Sequence, residues 1–278
     1  MDAIWTALIA LLDSIWIPAI VFFALAAVTK RKTIFAAIVR TRKEFSTNLG
    51  LAIINAALIS PLIAFPKEVF HEAVYTPAGL VVFWQDLPPI IMLLVAILCL
   101  DFVTYWRHRI EHHPLLWRIH ATHHADEQIH WFTLFRKHPL SAILASFADI
   151  VLLLFLGFPP GAVVIASLLR SWWGLIVHAD VKWTFGPVGE FLISPAAHRL
   201  HHIRDEQLMG SNFGNTFTFW DKMFGTYVDP KPYLNCEVGI AEGSRGLLGE
   251  LWRPFERRYW RLRKPQSVAS ESAAPEQR

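Results

Sequence analysis

The chain has 278 residues, of which 54% are hydrophobic, and a formal net charge of +3. This composition is too apolar for an ordinary soluble domain, and the length allows several membrane-spanning helices. The basic residues flank apolar segments instead of forming one stripe, which argues against nucleic acid as a partner. The two cysteines, Cys99 and Cys236, exclude a disulfide framework and any cysteine-ligated iron–sulfur cluster or zinc site.

Apolar segments of about 20 residues are long enough to cross a bilayer as helices. The sequence offers five candidate segments, which in chain order are residues 4–28, 49–65, 89–105, 139–158 and 161–177. The glycine- and proline-rich turn at 157–161 predicts that the last two form a helical hairpin. The first has no cleavage site before Lys30 and is interpreted as a retained span. We predict an all-α, polytopic membrane protein with about four to five membrane helices.

The distribution of Lys and Arg predicts the orientation in the membrane. Residues 30–43 after the first span are rich in both, whereas the segment 66–87 has Lys67 alone. The positive-inside rule therefore places 30–43 in the cytoplasm. If successive spans cross the membrane in alternate directions, the C-terminal part lies on the cytoplasmic side. Every histidine except His71 then lies in the cytoplasm or close to the cytoplasmic face of the membrane.

The histidines are not scattered along the chain. Of 13 histidines, 12 lie between His108 and His202, and most of them fall into three clusters with HxxxH, HxxHH and HxxHH spacing. Residues three or four apart share one helix face, so each cluster can direct at least two imidazoles to one point. The ligands predicted from spacing are His108, His112, His120, His123, His124, His198, His201 and His202. One zinc ion takes about four ligands, so this number predicts two metal ions.

The spacing does not decide the role of several neighbouring residues. His113 offers an alternative to His112, and His130 and His138 are as consistent with a local structural role as with a ligand role. His71 lies in the opposite loop and is not expected to bind metal. The arginines near the clusters are assigned equally to lipid head groups or to solvent, namely Arg107, Arg109, Arg118 and Arg136.

The histidine pattern and its flanks resemble the fatty acid hydroxylase and sterol desaturase superfamily of integral membrane di-iron oxygenases. The flanks are Asp101-Phe-Val-Thr-Tyr-Trp-Arg-His-Arg109, Leu116-Trp-Arg-Ile-His120, Asn212-Phe-Gly214 and Trp220-Asp-Lys-Met-Phe-Gly-Thr-Tyr227. The resemblance covers roughly residues 89–230. It implies a four-helix membrane base and a cytoplasmic helical cap that holds the dimetal histidine cage. It also implies His178 as a further ligand, although Ala-Asp follows it where relatives often have Ser-Asn.

The resemblance implies an enzyme that uses two iron ions and O2 on a lipid-like substrate. Sterol, hopanoid, carotenoid, fatty acyl and ether lipids all fit, and hydroxylation is not separated from desaturation or ether cleavage. The sequence has no glycine-rich dinucleotide fingerprint and no CxxCH motif, so an external reductase, ferredoxin or haem carrier must supply electrons. The alternatives are a histidine-rich metal transporter and a zinc-dependent membrane hydrolase, although the hydrolase motif HExxH is absent.

These inferences divide the chain into four parts. Residues 1–88 form N-terminal membrane helices with connecting loops, and 89–230 form the catalytic domain. Residues 231–263 form a C-terminal cytoplasmic segment, and 264–278 are predicted to be a disordered tail. Each ligating imidazole is expected to donate its second N–H to an acceptor. The candidate acceptors are Asp101, Glu111, Asp126, Asp180, Asp205 and Asp221, of which Asp101, Asp180 and Asp205 are singled out.

Overall fold

A computed structural model of the protein describes residues 2–64 and 78–260. These residues are mostly helical and contain no β-strand; isolated bridges join Leu192 to Phe217 and Ile203 to Val238. The all-α prediction is therefore confirmed for the described part of the chain. The predictions for His71 and for the tail 264–278 lie outside the described residues.

The helix boundaries follow the predicted segments closely. The helices are α1 (Asp2–Lys30), α2 (Ile34–Ile54), α3 (Ala78–Asp86), α4 (Pro89–Glu111), α5 (Pro114–His124), α6 (Pro139–Phe155), α7 (Pro160–Val177), α8 (Pro195–His201), α9 (Phe219–Met223) and α10 (Leu247–Trp252). Proline occupies the first turn of α4, α5, α7 and α8, where its missing N–H costs no helical hydrogen bond. All five candidate segments form helices where they are described, except that the fourth ends at Phe155, so residues 156–158 belong to the turn that precedes α7.

Three helical stretches are long and apolar enough to cross a membrane: Ala3–Ala64, Pro89–Glu111 and Pro160–Val177. The 62 residues of the first would extend about 90 Å as one straight helix, far more than a bilayer is thick. A 3₁₀ turn at Arg31–Thr33 interrupts the stretch, and Arg31 has a φ of 46°. Because α1 packs back against α2, this stretch is a helical hairpin.

The second helix of this hairpin contains a π-helical turn at Asn55–Ile59. Single π turns inside α-helices are frequent at functional sites. Here the turn packs against α6, and the Asn55 side chain donates to the backbone carbonyl of Lys137 at 2.9 Å. The π turn therefore links the N-terminal hairpin to the chain that precedes α6.

Helix α4 packs against both α6 and α7. Small residues lie at the contact, with Ala96 and Ala166 fully buried beside Leu100 and Phe158, so the helix backbones can approach closely. Large apolar side chains on the other faces, such as Leu94 and Leu168, are more than half exposed. An exposed apolar surface of this kind is suited to lipid.

The histidine-bearing end of the molecule has its own core. Trp117 and Ala121 of α5 pack against Leu200 of α8, and Ile240 and Tyr259 of the C-terminal segment complete the cluster. The C-terminal segment therefore packs against the two helices that carry the second and third histidine clusters.

Candidate metal centre

Four helices deliver nine histidines to one place. His108 lies in the last turn of α4 and His112 follows as its C-cap, while α5 ends with His120, His123 and His124. His178 is the C-cap of α7, and the other ligand candidates, His198, His201 and His202, belong to α8 and its C-cap. Helix ends are suited to this task because several chains converge there while each imidazole keeps the direction set by its helix.

The nine imidazoles form two groups, and within each group one nitrogen of every ring lies within 4.8 Å of those of the other rings. The first group has five members, His108, His112, His120, His124 and His201. The second has four members, His123, His178, His198 and His202. Each group draws on at least two of the three sequence clusters, and both contain histidines from α8.

Backbone carbonyls fix the tautomer of four of these imidazoles. Each ring places Nδ1 against a carbonyl oxygen: His108 to Phe213 at 2.9 Å, His201 to Ser211 at 2.7 Å, His123 to Arg136 at 3.2 Å and His178 to Gly174 at 2.6 Å. A carbonyl oxygen can only accept, so Nδ1 carries the hydrogen and Nε2 has a free lone pair. The four rings are thus prepared to bind through Nε2.

The approach of His123 to His178 tests whether a metal fits. Their Nε2 atoms lie 3.4 Å apart, yet both carry lone pairs, so they cannot hydrogen-bond to each other. A similar approach joins His198 Nε2 to His178 Nε2 at 3.0 Å. Two nitrogens bound to one ion at about 2.1 Å lie about 3.0–3.4 Å apart at bond angles of roughly 90–110°. The spacing therefore fits nitrogens that share a cation.

Unpartnered nitrogen atoms in the two groups support the same interpretation. Within the described residues, buried ring nitrogens without a hydrogen-bond partner include Nε2 of His120 and His201, Nδ1 of His124 and His198, and both nitrogens of His202. Buried polar atoms are almost always paired, because an unpaired one costs about 1–3 kcal/mol. Each neutral ring has one nitrogen with a lone pair, and metal ions would complete the bonding of the lone pairs that lack a partner.

Burial also keeps the imidazoles in the form that binds metal. It lowers the pKa of His178 and of His201 to about 4. The pKa of His202 is likewise lowered by burial and by the neighbouring rings, with His123 the largest contributor among them. At neutral pH these rings are uncharged, which is the form that a metal ion requires.

One carboxylate pairs directly with an imidazole of the first group. Glu111 Oε2 lies 3.3 Å from His120 Nδ1, and both side chains are buried. The same carboxylate accepts hydrogen bonds from Arg107 Nη1 and Ser141 Oγ, each at 2.8 Å. The carboxylate therefore orients His120 and directs its Nε2 towards the group.

The three acidic residues singled out as acceptors for the ligands make other contacts. Asp101 accepts from the backbone N–H groups of Thr216 and Phe217 at 2.9 and 3.1 Å. Asp180 pairs with Lys30 at 2.7 Å, and with Arg40 and Arg199 at 3.3 and 3.9 Å. Asp205 accepts from the backbone N–H of Gln207 at 2.8 Å. Asp101 thus acts on the centre through a loop, while the other two join charged or turn contacts at the surface.

The loop 211–217 supplies two of the carbonyls that orient histidines. Asp101 holds one end of it, and Asp221 accepts from the N–H groups of Phe213 and Gly214 at 2.7 and 2.8 Å. Asn212, at a φ of 52°, bonds through its side chain to both backbone groups of Val228 at 3.0 Å. The Asn212-Phe-Gly214 motif and Asp221 were visible in sequence, but their role depends on the carbonyl directions.

The histidines whose role the sequence did not decide, His113, His130 and His138, lie outside both groups. His113 is exposed and caps α5, its Nδ1 accepting from the N–H of Leu115 at 3.4 Å. His130 caps the 3₁₀ turn Trp131–Phe135, and His138 Nδ1 accepts from the N–H of Leu140 at 3.2 Å. These three histidines stabilise chain turns, and the structure places His112 rather than His113 in the first group.

The interpretation of Arg136 as a head-group or solvent-facing residue is wrong. Its side chain is fully buried, and its guanidinium donates to Glu44 at 2.7 Å and to Glu250 at 2.8 Å. Nε donates to the carbonyl of Thr122 at 2.7 Å. Arg136 therefore connects α2, α5 and α10 directly behind His123.

The part of the chain that carries these histidines is similar to known proteins. The fatty acid hydroxylase family model matches residues 93–226. The ornithine lipid hydroxylase of Rhizobium tropici is 27% identical over 179 residues, which are 63% of this chain and 54% of that protein. The alkylglycerol monooxygenase of Homo sapiens is 32% identical over 136 residues, 48% of this chain and 29% of that protein.

A Delta(7)-sterol 5(6)-desaturase of Gibberella zeae is 30% identical over 145 residues, 51% of this chain and 40% of that protein. The aligned region thus spans about half or less of the length of these curated relatives. No solved structure matches the chain.

Proposed function

Because the fatty acid hydroxylase family model matches residues 93–226 and the relatives are named as hydroxylases, monooxygenases and desaturases, we propose that the chain is an oxidoreductase of the fatty acid hydroxylase and sterol desaturase superfamily, namely a membrane di-iron oxygenase. It hydroxylates or desaturates a lipid-like substrate. The observation that carries the proposal is the sorting of nine histidines into one group of five and one of four around two centres.

The number and type of ligands support two irons. Imidazole nitrogens suit zinc, copper, iron and nickel, so the ligand type leaves several metals possible. Structural zinc is bound by four ligands, and catalytic zinc by three and a water, whereas nine histidines here adjoin one another. Iron is selected because the relatives are named as hydroxylases, monooxygenases and desaturases. The proposed ligands are His108, His112, His120, His123, His124, His178, His198, His201 and His202.

The reaction needs O2 and electrons from outside the chain. When bound, the two irons activate O2 for attack on an unactivated C–H bond, which side chains alone cannot break. In hydroxylation, the substrate C–H, O2, two electrons and two protons give C–OH and one water. In desaturation, two adjacent C–H bonds, O2, two electrons and two protons give C=C and two waters. A separate reductase, ferredoxin or haem carrier supplies the electrons.

The protein's own residues position the site. The carbonyls of Phe213, Ser211 and Gly174 hold their histidines in one tautomer, and Glu111 does the same for His120. Burial of the imidazoles excludes bulk water from around the ligand nitrogens. Such exclusion limits unproductive loss of electrons to solvent.

The proposed orientation places the metal centre and the C-terminal part on the cytoplasmic side. The charge asymmetry between residues 30–43 and 66–87 supports it. The alternatives are less well supported. A transporter would distribute its ligands along a path through the membrane helices, whereas these imidazoles converge at helix ends. A zinc hydrolase would need a general base such as that of HExxH.

The test begins with metal content. The protein is purified in detergent from iron-replete cells, and iron and zinc are counted per chain by mass spectrometry. About two irons per chain are expected. The iron-loaded protein is then incubated with a membrane lipid extract, an electron donor and isotopically labelled O2. Labelled oxygen in a lipid product supports hydroxylation, and loss of two hydrogens supports desaturation. One zinc and no iron would overturn the proposal.

A further inference from the structure

A wide cleft opens among the membrane helices. Its volume is about 710 Å³, within the range of small-molecule binding sites, and its lining is mainly apolar. Residues of α1, of the π turn Asn55–Ile59, and of α6 and α7 form its walls, including Ile17, Ala56, Ala145 and Leu168. Since α1, the π turn and α7 belong to stretches that are long and apolar enough to cross a membrane, the cleft is accessible to the hydrocarbon of a lipid.

The inner end of this cleft adjoins the metal centre. A second, smaller cavity of about 50 Å³ is lined by histidines of both groups, among them His108 of the first and His178 of the second. Four residues line both spaces: Leu134, Lys137, Arg170 and Asn215. One layer of residues therefore separates the membrane-facing cleft from the imidazoles.

The three polar residues of this layer belong to hydrogen-bonded parts of the chain. The side chain of Asn55 donates to the backbone carbonyl of Lys137 at 2.9 Å, and that of Asn215 donates to the backbone carbonyl of Arg170 at 3.2 Å. Asn215 also donates to the hydroxyl of Thr216 at 3.3 Å. These bonds connect the layer to the π turn and to α7, so opening the layer at its polar residues would break hydrogen bonds.

Leu134 is the apolar member of the layer. It lies in the 3₁₀ turn Trp131–Phe135, is half-buried, and packs against the cluster of Phe22, Leu175 and Ala179. Its side chain has no polar atom, so van der Waals contacts alone position it. Leu134 can therefore change rotamer without breaking a hydrogen bond, which makes it the part of the layer that opens most easily.

A glycine of α7 lies beside the Leu134 side chain. A Cβ atom on Gly174 would lie 3.1 Å from Leu134 Cδ1, closer than ordinary van der Waals contact, and 3.4 Å from Asn215 Oδ1. The missing side chain at Gly174 thus provides the room that Leu134 fills. If Leu134 turns away, the opening is about as wide as one aliphatic side chain. A single unbranched hydrocarbon chain fits such an opening, whereas a fused ring system is wider.

A competing groove exists, but it does not reach the imidazoles. It has a volume of about 440 Å³ and lies between α1 and α2, where Phe22, Phe45 and Trp131 line it. Among its described lining residues, none belongs to the two histidine groups. This groove serves below as the alternative location for a bound hydrocarbon.

From these observations we infer that the 710 Å³ cleft binds the unbranched hydrocarbon chain of a lipid, and that Leu134 is the specificity-determining residue through which this chain reaches the metal centre. The Leu134 side chain closes the inner end of the cleft, and on opening it admits one chain but no fused ring system. Naming this chain as the part of the substrate that is oxidised rests on the proposed function; its binding in the cleft and the closure by Leu134 do not.

The test uses two photoreactive probes, a dodecane with a diazirine at one end and a sterol with a diazirine in its fused rings. Their binding to protein purified in detergent from iron-replete cells is measured without O2 or electron donor, and crosslinks are assigned to single residues. In the unmodified chain, the dodecane probe is expected to label Ala145 or Leu168 in the cleft. It should label Thr104 and Gly214 weakly, since they line the small cavity but not the cleft, and the sterol probe should label neither.

Two substitutions of Leu134 test the closure. Leu134→Ala removes the closing side chain, and two methylene groups of the probe can bury in the space that it leaves. Each buried methylene group strengthens binding by about fourfold, so dodecane should bind about fifteenfold more tightly and label Thr104 or Gly214 strongly. Leu134→Val removes one methylene group and should give about a fourfold change, which tests the inference if the alanine variant does not fold.

Leu169→Ala is the matched control. Leu169 is an exposed leucine of α7 that does not line the cleft, so its variant should keep the affinity and the crosslinks of the unmodified chain. Equal affinity of dodecane for the variants at Leu134 and at Leu169 would overturn the inference. Crosslinking confined to Phe22 or Trp131 in the competing groove would do so too, as would sterol labelling of Gly214 as strong as that by dodecane.

Iron is counted in the same samples, which separates this inference from the proposed function. Tighter dodecane binding to Leu134→Ala in protein without iron would retain the inference and refute the di-iron proposal. Two irons per chain with no effect of either Leu134 substitution would refute the inference and leave the di-iron proposal standing.

Discussion

The guanidinium of Arg136 donates to the carboxylate of Glu250 across 2.8 Å, and both side chains are fully buried. Glu250 belongs to α10 and also receives two hydrogen bonds from Arg253, at 2.7 and 2.9 Å. The backbone carbonyl of Arg136 accepts from Nδ1 of His123. Through this chain of contacts, the C-terminal segment stabilises the position of an imidazole in the second histidine group.

Replacing Arg136 with Met is expected to destabilise the fold and weaken metal binding. It leaves the buried carboxylate of Glu44 without its arginine partner and leaves Glu250 with Arg253 alone, and breaking such a buried pair costs about 3–5 kcal/mol. The measurement is the thermal unfolding midpoint in detergent, with iron counted in the same samples.

Lys222→Met is the matched control, since it breaks an exposed pair with Glu190 and should leave both quantities unchanged. An unchanged midpoint in Arg136→Met would show that the buried network does not stabilise the fold.

Replacing His201 with Ala is expected to lower the iron content to one ion or fewer per chain and to reduce activity by about a hundredfold or more. Replacing only the hydrogen-bond partner of a ligating histidine already reduces metal affinity or activity by about 10–100-fold, and loss of the ligand itself should reduce them at least as much. His201 belongs to the first group, and its Nε2 is open. His113→Ala is the control, because His113 is an exposed helix cap in the same sequence region. Circular dichroism should show full helix content in both variants. Full iron content in His201→Ala would contradict the assignment.

Replacing Gly214 with Ala is expected to disturb the loop that orients His108. A Cβ atom there would lie 2.5 Å from the carbonyl oxygen of Phe217 and 2.9 Å from Asp221 Oδ2, so the backbone must shift. Such overpacking costs about 1–3 kcal/mol. Thermal unfolding measures the loss, and an iron titration tests whether the affinity falls.

Gly161→Ala is the control for this change, because a Cβ atom there meets nothing within 4 Å. Equal behaviour of the two alanine variants would mean that the loop tolerates the shift without affecting the centre.

The stability of the metal-free protein is expected to fall as the pH decreases from about 6.5 to about 4. Burial lowers the pKa of His178 and His201 to about 4 in the folded chain, against about 6.5 when unfolded. Their contribution is therefore present above pH 6.5 and is lost as the pH falls through the folded pKa. Unfolding midpoints of chelator-treated protein across this range measure it.

The iron-loaded protein should show a steeper loss in the same pH range, because protons compete with metal ions for the imidazoles. Constant midpoints between pH 7 and pH 4 in the metal-free form would show that these rings are not buried as neutral bases.

Features that depend on local periodicity could be predicted from the sequence. Five apolar segments marked helices, and proline and glycine marked the turn before α7. Histidines three and four residues apart marked shared helix faces. This was enough to identify eight of the nine imidazoles by spacing, and family resemblance added His178. Each of these patterns involves residues that are close together in the sequence, and over that distance helix geometry alone determines which side chains share a face.

Which imidazoles belong together was decided by tertiary structure. His201 and His202 are adjacent in sequence, yet they lie in different groups, because successive residues on a helix point about 100° apart and face different partners. The sequence also left His112 and His113 unresolved, since that choice depends on where α4 ends and on how α5 packs.

The supporting contacts show the same division. Acidic residues near the clusters could be named from the sequence, but the contact between Glu111 and His120 joins the end of α4 to α5. The sequence suggested that Arg136 faces solvent or lipid, but in the folded chain it is buried and pairs with carboxylates from α2 and α10. The sequence by itself determined which residues could bind metal and which segments are helical, because both follow from local chemistry. The folded chain decided the grouping and the partners, because long-range packing sets the direction of each nitrogen and carboxylate.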